Sequence, residues 1–172
     1  MTENNLSIAP ARLHEFPLVA TLLKNAADWL HSRKIDQWRF LREGGEDEEI
    51  RQAIRHGKTW LARRDSDVVG TFTLYDAQSE WDSHIWGERS DDAIYLHRLT
   101  AVRNGKASGI GAQLIAWIED ECRMNGDTFL RLDCVAGNER LNRYYLDLGF
   151  VSLGISRDHT MYQKRLPAAI TG

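Results

Sequence analysis

Lys106-Ala107-Ser108-Gly109-Ile110-Gly111 joins a strand-like run, Ala93 to Val102, to a helix-like run, Ile110 to Met124. The first N–H groups of a helix have no internal partner, and the helix dipole there favours negative charge. A turn placed between strand and helix therefore aims donors at one point, where a phosphate can sit. Gly109 and Gly111 let the backbone approach a ligand that a Cβ would hold off. The same residues also serve as a plain strand-to-helix connection, so the turn alone identifies no ligand.

Two titratable residues lie on strand-like runs near this turn. Asp133, within Phe129 to Val135, alternates with Leu132 and Cys134 and faces away from them. A carboxylate in a central strand is costly unless it is paired or functional. A salt bridge to Arg98 or Arg131 would satisfy it, and so would a role in proton transfer. His97 has a reference pKa of about 6.5, which suits a base, although a lone strand histidine is more often structural. Cys122 and Cys134 form no Cys-x-x-Cys pair and lie near no cluster of histidines, so no metal site is expected. Two free, buried thiols in a reducing cytoplasm are the plain reading.

The elements that must position these groups follow from periodicity. Leu6 to Ala9 reads as a short strand. His14 to Arg33 is helical, with Phe16, Val19, Leu22, Leu23, Ala26, Ala27 and Leu30 on one face. Glu46 to His56 is a second, charged helix entered through Gly44-Gly45. Thr59 to Arg63 and Val68 to Tyr75 form an antiparallel hairpin across a short turn. Asp76 to Asp92 reads as a long loop containing Trp81 and Trp86, and loops of this length are often functional. Ala93 to Val102 and Thr128 to Val135 are strands either side of the helix Ile110 to Met124, which predicts a parallel, right-handed unit. A helix from Asn138 to Leu148 and short strands at Val151 to Ile155 and Thr160 to Arg165 close the chain.

A chain of 172 residues with this pattern is expected to form one domain, 1–172. Its formal net charge of −3 gives no basic field for nucleic acid or an anionic membrane. No apolar run approaches the length of a membrane span. The polar N-terminus does not resemble a secretory leader, and a cytoplasmic location is expected.

Taken together, these residues resemble the GNAT superfamily of N-acetyltransferases. One motif of that family is an apolar-x-apolar strand, a short loop, then Arg/Gln-x-x-Gly-x-Gly/Ala. Here it reads Leu99-Thr100-Ala101, Val102 to Gly105, then Lys106 to Gly111. Lys106 and Ala107 depart mildly from the pattern. A second motif, Asn-x(6)-Tyr-x(3)-Gly-Phe, is matched by Asn138, Tyr145 and Gly149-Phe150. The resemblance implies an α/β fold: a single mixed, mostly antiparallel sheet of six to seven strands, with a splayed parallel pair and helices on both faces. It also implies acetyl-coenzyme A as co-substrate and no metal. The pyrophosphate would lie on the N–H groups of Lys106, Ala107, Ser108, Gly109, Ile110, Gly111 and Ala112. The pantetheine arm would pair with the main chain of Leu99, Thr100 and Ala101, as an added strand does.

The same resemblance assigns roles in acetyl transfer to an amine. Tyr145 stands where the family points a phenol at the thioester sulfur, and a phenol is protonated at neutral pH. Asn138 is expected to contact the cofactor arm and also suits a helix N-cap. Asn142, one turn later, either reaches the cofactor or is a simple helix position. Asp133 stands where some relatives carry a Glu as base, and His97 is the other candidate base. The loops holding Trp38, Trp81 and Trp86 flank the acceptor pocket in this family. Aromatics among carboxylates suit a cationic amine of a small molecule or peptide, although the tryptophans equally suit a cover over the core. No nucleic-acid or membrane partner is expected, and a homodimer is left open. The rival readings are a non-catalytic acyl-coenzyme A sensor and a transferase for a larger acyl group. Neither Gly-x-x-x-x-Gly-Lys-Ser/Thr nor a full Gly-x-Gly-x-x-Gly occurs, which argues against other nucleotide-binding classes.

Overall fold

The computed structural model describes residues 6–35, 38–102 and 109–168. In chain order the elements are β1 (Leu6–Pro10), a 3-10 turn (Leu13–Glu15), α1 (Phe16–Ser32), α2 (Arg39–Arg42), α3 (Asp47–Arg55), β2 (Thr59–Arg64), β3 (Asp67–Tyr75) and α4 (Glu80–Trp86). They continue with β4 (Ala93–Ala101), α5 (Ile110–Met124), β5 (Phe129–Val135), α6 (Glu139–Asp147), β6 (Val151–Ser156) and β7 (His159–Arg165). The strands form a mixed, mostly antiparallel seven-stranded sheet in the order β1-β2-β3-β4-β5-β7-β6, flanked by helices. This is the fold class the motifs imply. By internal packing the chain divides into two units, Met1–Thr73 with Arg98–Leu114, and Leu74–His97 with Ile115–Gly172.

In the first unit, β1 and β3 flank β2, each antiparallel to it. The expected hairpin is present, with a bulge between Ala62 and Arg63. Pro17 opens α1, where its missing N–H costs nothing. The apolar face of α1 buries Val19, Leu23 and Ala27, which cluster with Leu41, Ile50, Ile54 and Leu61. Removing a Leu- or Ile-sized side chain from water contributes about 1.5–3 kcal/mol, so this cluster holds α1 and α3 against the hairpin. The acidic first turn of α3 (Asp47, Glu48, Glu49) matches the positive end of its dipole.

In the second unit, β4 runs parallel to β5 through the pairs Ala93↔Phe129, Ile94↔Leu130 and Tyr95↔Arg131, and the ladder ends there. β5 pairs antiparallel with β7 along its whole length, and β7 pairs with β6. Arg131 is 1% exposed yet fully engaged. Its guanidinium binds Asp91 with both terminal nitrogens, Tyr95 Oη at 3.0 Å and Gln163 Oε1 at 2.9 Å. It also lies over the rings of Trp86, Tyr95 and Phe129. A buried charge is tolerated when it is paired and fully hydrogen-bonded in this way. Both cysteines are buried and free, and burial pushes each thiol up to about 12.

Two segments differ from expectation. The stretch read as a long loop, Asp76 to Asp92, contains α4, begun by a reciprocal cap: Ser79 accepts from Asp82 N–H while Asp82 accepts from Ser79 N–H. Arg98, inside β4, adopts φ +52°, a left-handed backbone that a strand residue rarely takes. Its side chain is 8% exposed and reaches Glu46 Oε1 at 3.0 Å and Glu49 Oε2 at 3.1 Å.

Candidate active site

The expected donor seat lies in the first unit. Lys106, Ala107 and Ser108 fall outside the described residues. Gly109 has φ +84°, and a Cβ built on it would meet nothing within 4 Å. That open, left-handed position fits close approach by an anion at the start of α5. Ile110 is fully buried, so its side chain anchors α5 while its backbone stays at the turn. Gly111 and Ala112 are half-buried, as are Leu99 and Ala101, and Thr100 is buried. Gly70 on β3 lies beneath this strand: a Cβ there would come within 2.8 Å of Leu114 Cδ1 and 3.0 Å of the Thr100 carbonyl. Trp38 packs against the cluster of Val19, Leu23 and Ile50, as a cover over the core would.

The titratable residues gather in the second unit. Tyr145 is buried on α6, with Phe150, Tyr144 and Tyr162 around its ring at 5.5 to 5.8 Å. Its hydroxyl donates to none of the described residues. Burial raises its pKa strongly, so the phenol stays protonated and able to donate. Asn138 caps α6, its Oδ1 accepting from Leu141 N–H at 3.2 Å. Asn142 is committed within the fold. Its Nδ2 donates to Val135 O and Asn138 O, and its Oδ1 accepts from Tyr162 Oη at 2.7 Å.

Asp133 does not form either expected salt bridge. Arg98 is taken by Glu46 and Glu49, and Arg131 by Asp91. Instead Asp133 accepts from the indole Nε1 of Trp81, at 3.1 Å to Oδ2 and 3.2 Å to Oδ1. Burial raises its pKa, opposed by the charges of His97 and His159 and by the Trp81 bond, while Asp82 adds to the rise. His97 places Nε2 2.9 Å from Asp82 Oδ1, and its ring lies 5.1 Å from that of Tyr75. Asp82 is 1% exposed. In the sequence Asp82 reads only as one of the carboxylates near the acceptor loops; its pairing with His97 is not visible there, although the pattern Ser79-x-x-Asp82 is itself a helix-start signal.

The three tryptophans part company. Trp81 is 40% exposed, edge-on to His159 at 4.9 Å. Trp86, expected at the acceptor pocket, is instead buried with Ile85, Ala93 and Tyr95, so its ring is core and not a surface an acceptor would meet. Among the described residues no group of three His, Cys, Asp or Glu is placed to hold a metal ion. No described helix is long and apolar enough to cross a membrane.

The strand order, the parallel pair that parts after three residue pairs and the glycine turn at α5 define a GNAT-type acyltransferase fold. Comparison with known proteins agrees. The acetyltransferase (GNAT) family model matches residues 20–150. The chain is 30% identical over 161 residues to the uncharacterized N-acetyltransferase YesJ of Bacillus subtilis (strain 168), covering 92% of this chain and 89% of that one. A GNAT-family acetyltransferase structure from Listeria monocytogenes 4b F2365 superposes with a TM-score of 0.82 at 28% identity, covering 94% of this chain and 95% of that one. The PaiA N-acetyltransferase of Thermoplasma acidophilum, solved in complex with coenzyme A, shares the fold at a TM-score of 0.74 and 15% identity, covering 94% of this chain and 99% of that one. The chain belongs to the acetyltransferase (GNAT) family.

Proposed function

We propose that the chain, acting as one domain over 1–172, is an N-acetyltransferase that moves the acetyl group of acetyl-coenzyme A directly to a primary amine of a small molecule or peptide. The observation that carries the reading is the proton-handling set on the second unit. A buried, protonated Tyr145 stands with a hydroxyl that donates to no described residue, and Asp133 is a half-buried carboxylate with raised pKa, held by the Trp81 indole and facing the charges of His97 and His159. A folded protein keeps such groups at a cost, and acid–base work accounts for them. The Thermoplasma relative's complex with coenzyme A supports the choice of donor.

In this reading the donor supplies a thioester, an activated acyl group. The N–H groups from Lys106 through Gly111 to Ala112 hold its pyrophosphate, and the main chain of Leu99 to Ala101 aligns its amide-bearing arm. Asn138 stands at the start of α6 as a further contact for that arm, while the side chain of Asn142, engaged with Val135, Asn138 and Tyr162, holds that end of the helix. The amine nitrogen bonds to the acetyl carbon, and its proton passes to Asp133 or His97, directly or through water. The carbon–sulfur bond breaks, and Tyr145 gives its proton to the departing thiolate. The raised pKa of Asp133 improves it as a base, because proton acceptors work best when matched to the operating pH. Trp81 beside Asp133 offers a ring face and a nearby carboxylate to a cationic acceptor.

The test is thiol release from acetyl-coenzyme A with amine mixtures: polyamines, aminoglycosides, amino acids and peptide N-termini. Amine-dependent release is expected. Tight donor binding without release from acetyl- or succinyl-coenzyme A would instead mark a sensor.

A further inference from the structure

α4 brings two adjacent residues to the two candidate bases. Trp81 donates to Asp133 on β5, and Asp82 pairs with His97 on β4. The second contact is the more constrained. Asp82 is almost wholly buried, and its oxygens accept from three donors: Ser79 N–H at 3.0 Å, Ser79 Oγ at 3.0 Å and His97 Nε2 at 2.9 Å. A carboxylate that accepts on every side leaves the shared proton on the imidazole, at Nε2. The lone pair then belongs to Nδ1. The groups facing this pair are Tyr75 from β3, Asp133 from β5 and, beside Asp133, His159 from β7.

We propose that Asp82 is a positioning residue that fixes His97 as its Nε2–H tautomer, so that Nδ1 is the proton-accepting atom for the acceptor amine. A carboxylate behind a histidine that holds its tautomer and supports its charged form is a recurring device of acid–base sites. Here the carboxylate comes from the short helix before β4, and the same residue caps that helix. The capping box therefore sets the orientation of the base as the helix forms. The assignment of Nδ1 as base rests on the acetyltransferase reading; the tautomer itself does not.

Nitrogen-15 NMR of the imidazoles in the free wild-type protein reads the tautomer without any substrate. A protonated, pyrrole-like Nε2 and a bare, pyridine-like Nδ1 are expected for His97, assigned by its loss in His97→Gln. Asp82→Asn, which offers Nε2 an amide in place of a carboxylate, should mix or invert the two signals. It should also lower kcat by about a hundredfold or more, the scale of general-base loss, with the donor KM unchanged. Ser79→Ala weakens the cap and leaves the Asp82–His97 bond, so it should keep the wild-type tautomer and lose far less rate. A wild-type His97 protonated at Nδ1 would overturn the proposal, as would a Ser79→Ala variant matching Asp82→Asn in both readouts. If no amine is acetylated by the wild type while the tautomer is as stated, the acetyltransferase reading fails and the positioning of His97 by Asp82 stands.

Discussion

The indole Nε1 of Trp81 donates to both carboxylate oxygens of Asp133, at 3.1 and 3.2 Å, and Trp81 is the neighbour in sequence of the residue that holds His97. One N–H is a small counterweight to the burial that raises Asp133. Trp81→Phe removes that donor and keeps most of the ring, so Asp133 should rise further. If Asp133 is the base, the acidic limb of kcat/KM moves to higher pH in Trp81→Phe and disappears in Asp133→Asn. A limb in Asp133→Asn identical to the wild type's would remove Asp133 from proton transfer.

The same residue makes a stability prediction whose sign follows from linkage. The folded state holds the Asp133 proton more tightly than the unfolded chain, whose carboxyl titrates near 3.8. Below that pH both states are protonated and the group costs nothing. As pH rises, the unfolded chain loses its proton first, and stability falls until the raised folded value is passed. Asp133→Asn cannot ionise and still accepts from Trp81. It should therefore melt higher than the wild type at neutral pH, with the gain shrinking as pH falls and gone below the unfolded value of 3.8. Thermal melts across that range check this. A constant difference between the two proteins at every pH would contradict it.

Tyr145→Phe isolates the proposed acid. The hydroxyl donates to no described residue, so its loss breaks no bond within the described fold, and the ring contacts with Phe150 and Tyr162 remain. Turnover should fall by about 10²–10⁴-fold, the range for loss of a general acid or base, while melting temperature and acetyl-coenzyme A affinity stay near wild type. Unchanged turnover would assign Tyr145 to packing.

How much of this was readable in the residues depends on how local each cause is. α5, Ile110–Met124, matched its apolar period end to end, and the hairpin of β2 and β3 followed from a short turn between β-branched runs. α4 was missed because seven residues carry too little periodicity, although Ser79 and Asp82 stood at capping-box spacing. Arg98 carries no sign of its left-handed backbone, since neither glycine nor asparagine occupies the position. Its partner Glu46 is 52 residues away, which is why a pairing with Asp133 looked equally reasonable. Trp86 failed as a pocket residue for the same reason. The aromatic and cationic shell that buries it, Tyr95, Arg131 and Arg89, is assembled from separate elements. The placing of Asn138 as the cap of α6 and of Tyr145 along it was legible because helix positions are written locally.

Lys164 ties β7 to the end of α6. Its Nζ donates to the Leu148 carbonyl at 2.7 Å, pairs with Glu119 Oε1 at 2.6 Å and lies over the Phe150 ring. Lys164→Met keeps the stem and leaves a helix-end carbonyl and a half-buried carboxylate without that partner. The cost should be about 1–3 kcal/mol, read as a lower urea midpoint with an unchanged slope. Since α6 carries Asn138 and Tyr145, turnover should fall only as far as the folded fraction does. A variant as stable as the wild type would show that water replaces the ammonium at no cost.

Gly70 connects stability to donor binding. It lies on β3 with an ordinary backbone angle, so its role is steric rather than conformational. An added methyl would stand 2.8 Å from Leu114 Cδ1, closer than carbon atoms settle, and 3.0 Å from the Thr100 carbonyl oxygen, a tight contact. Leu114 is fully buried and has little room to turn away, so part of the strain must pass to Thr100. Overpacking of this kind costs about 1–3 kcal/mol, and in a chain of this size each kcal/mol lowers the melting temperature by roughly 2–4 °C. Gly70→Ala should therefore melt several degrees lower. It should also bind acetyl-coenzyme A more weakly, because Thr100 sits in the strand proposed to align the pantetheine arm. Calorimetric titration at a temperature where the variant is fully folded separates the two effects. Lost stability with unaltered donor affinity would place the strain on Leu114 alone and free the Leu99–Ala101 strand from that role.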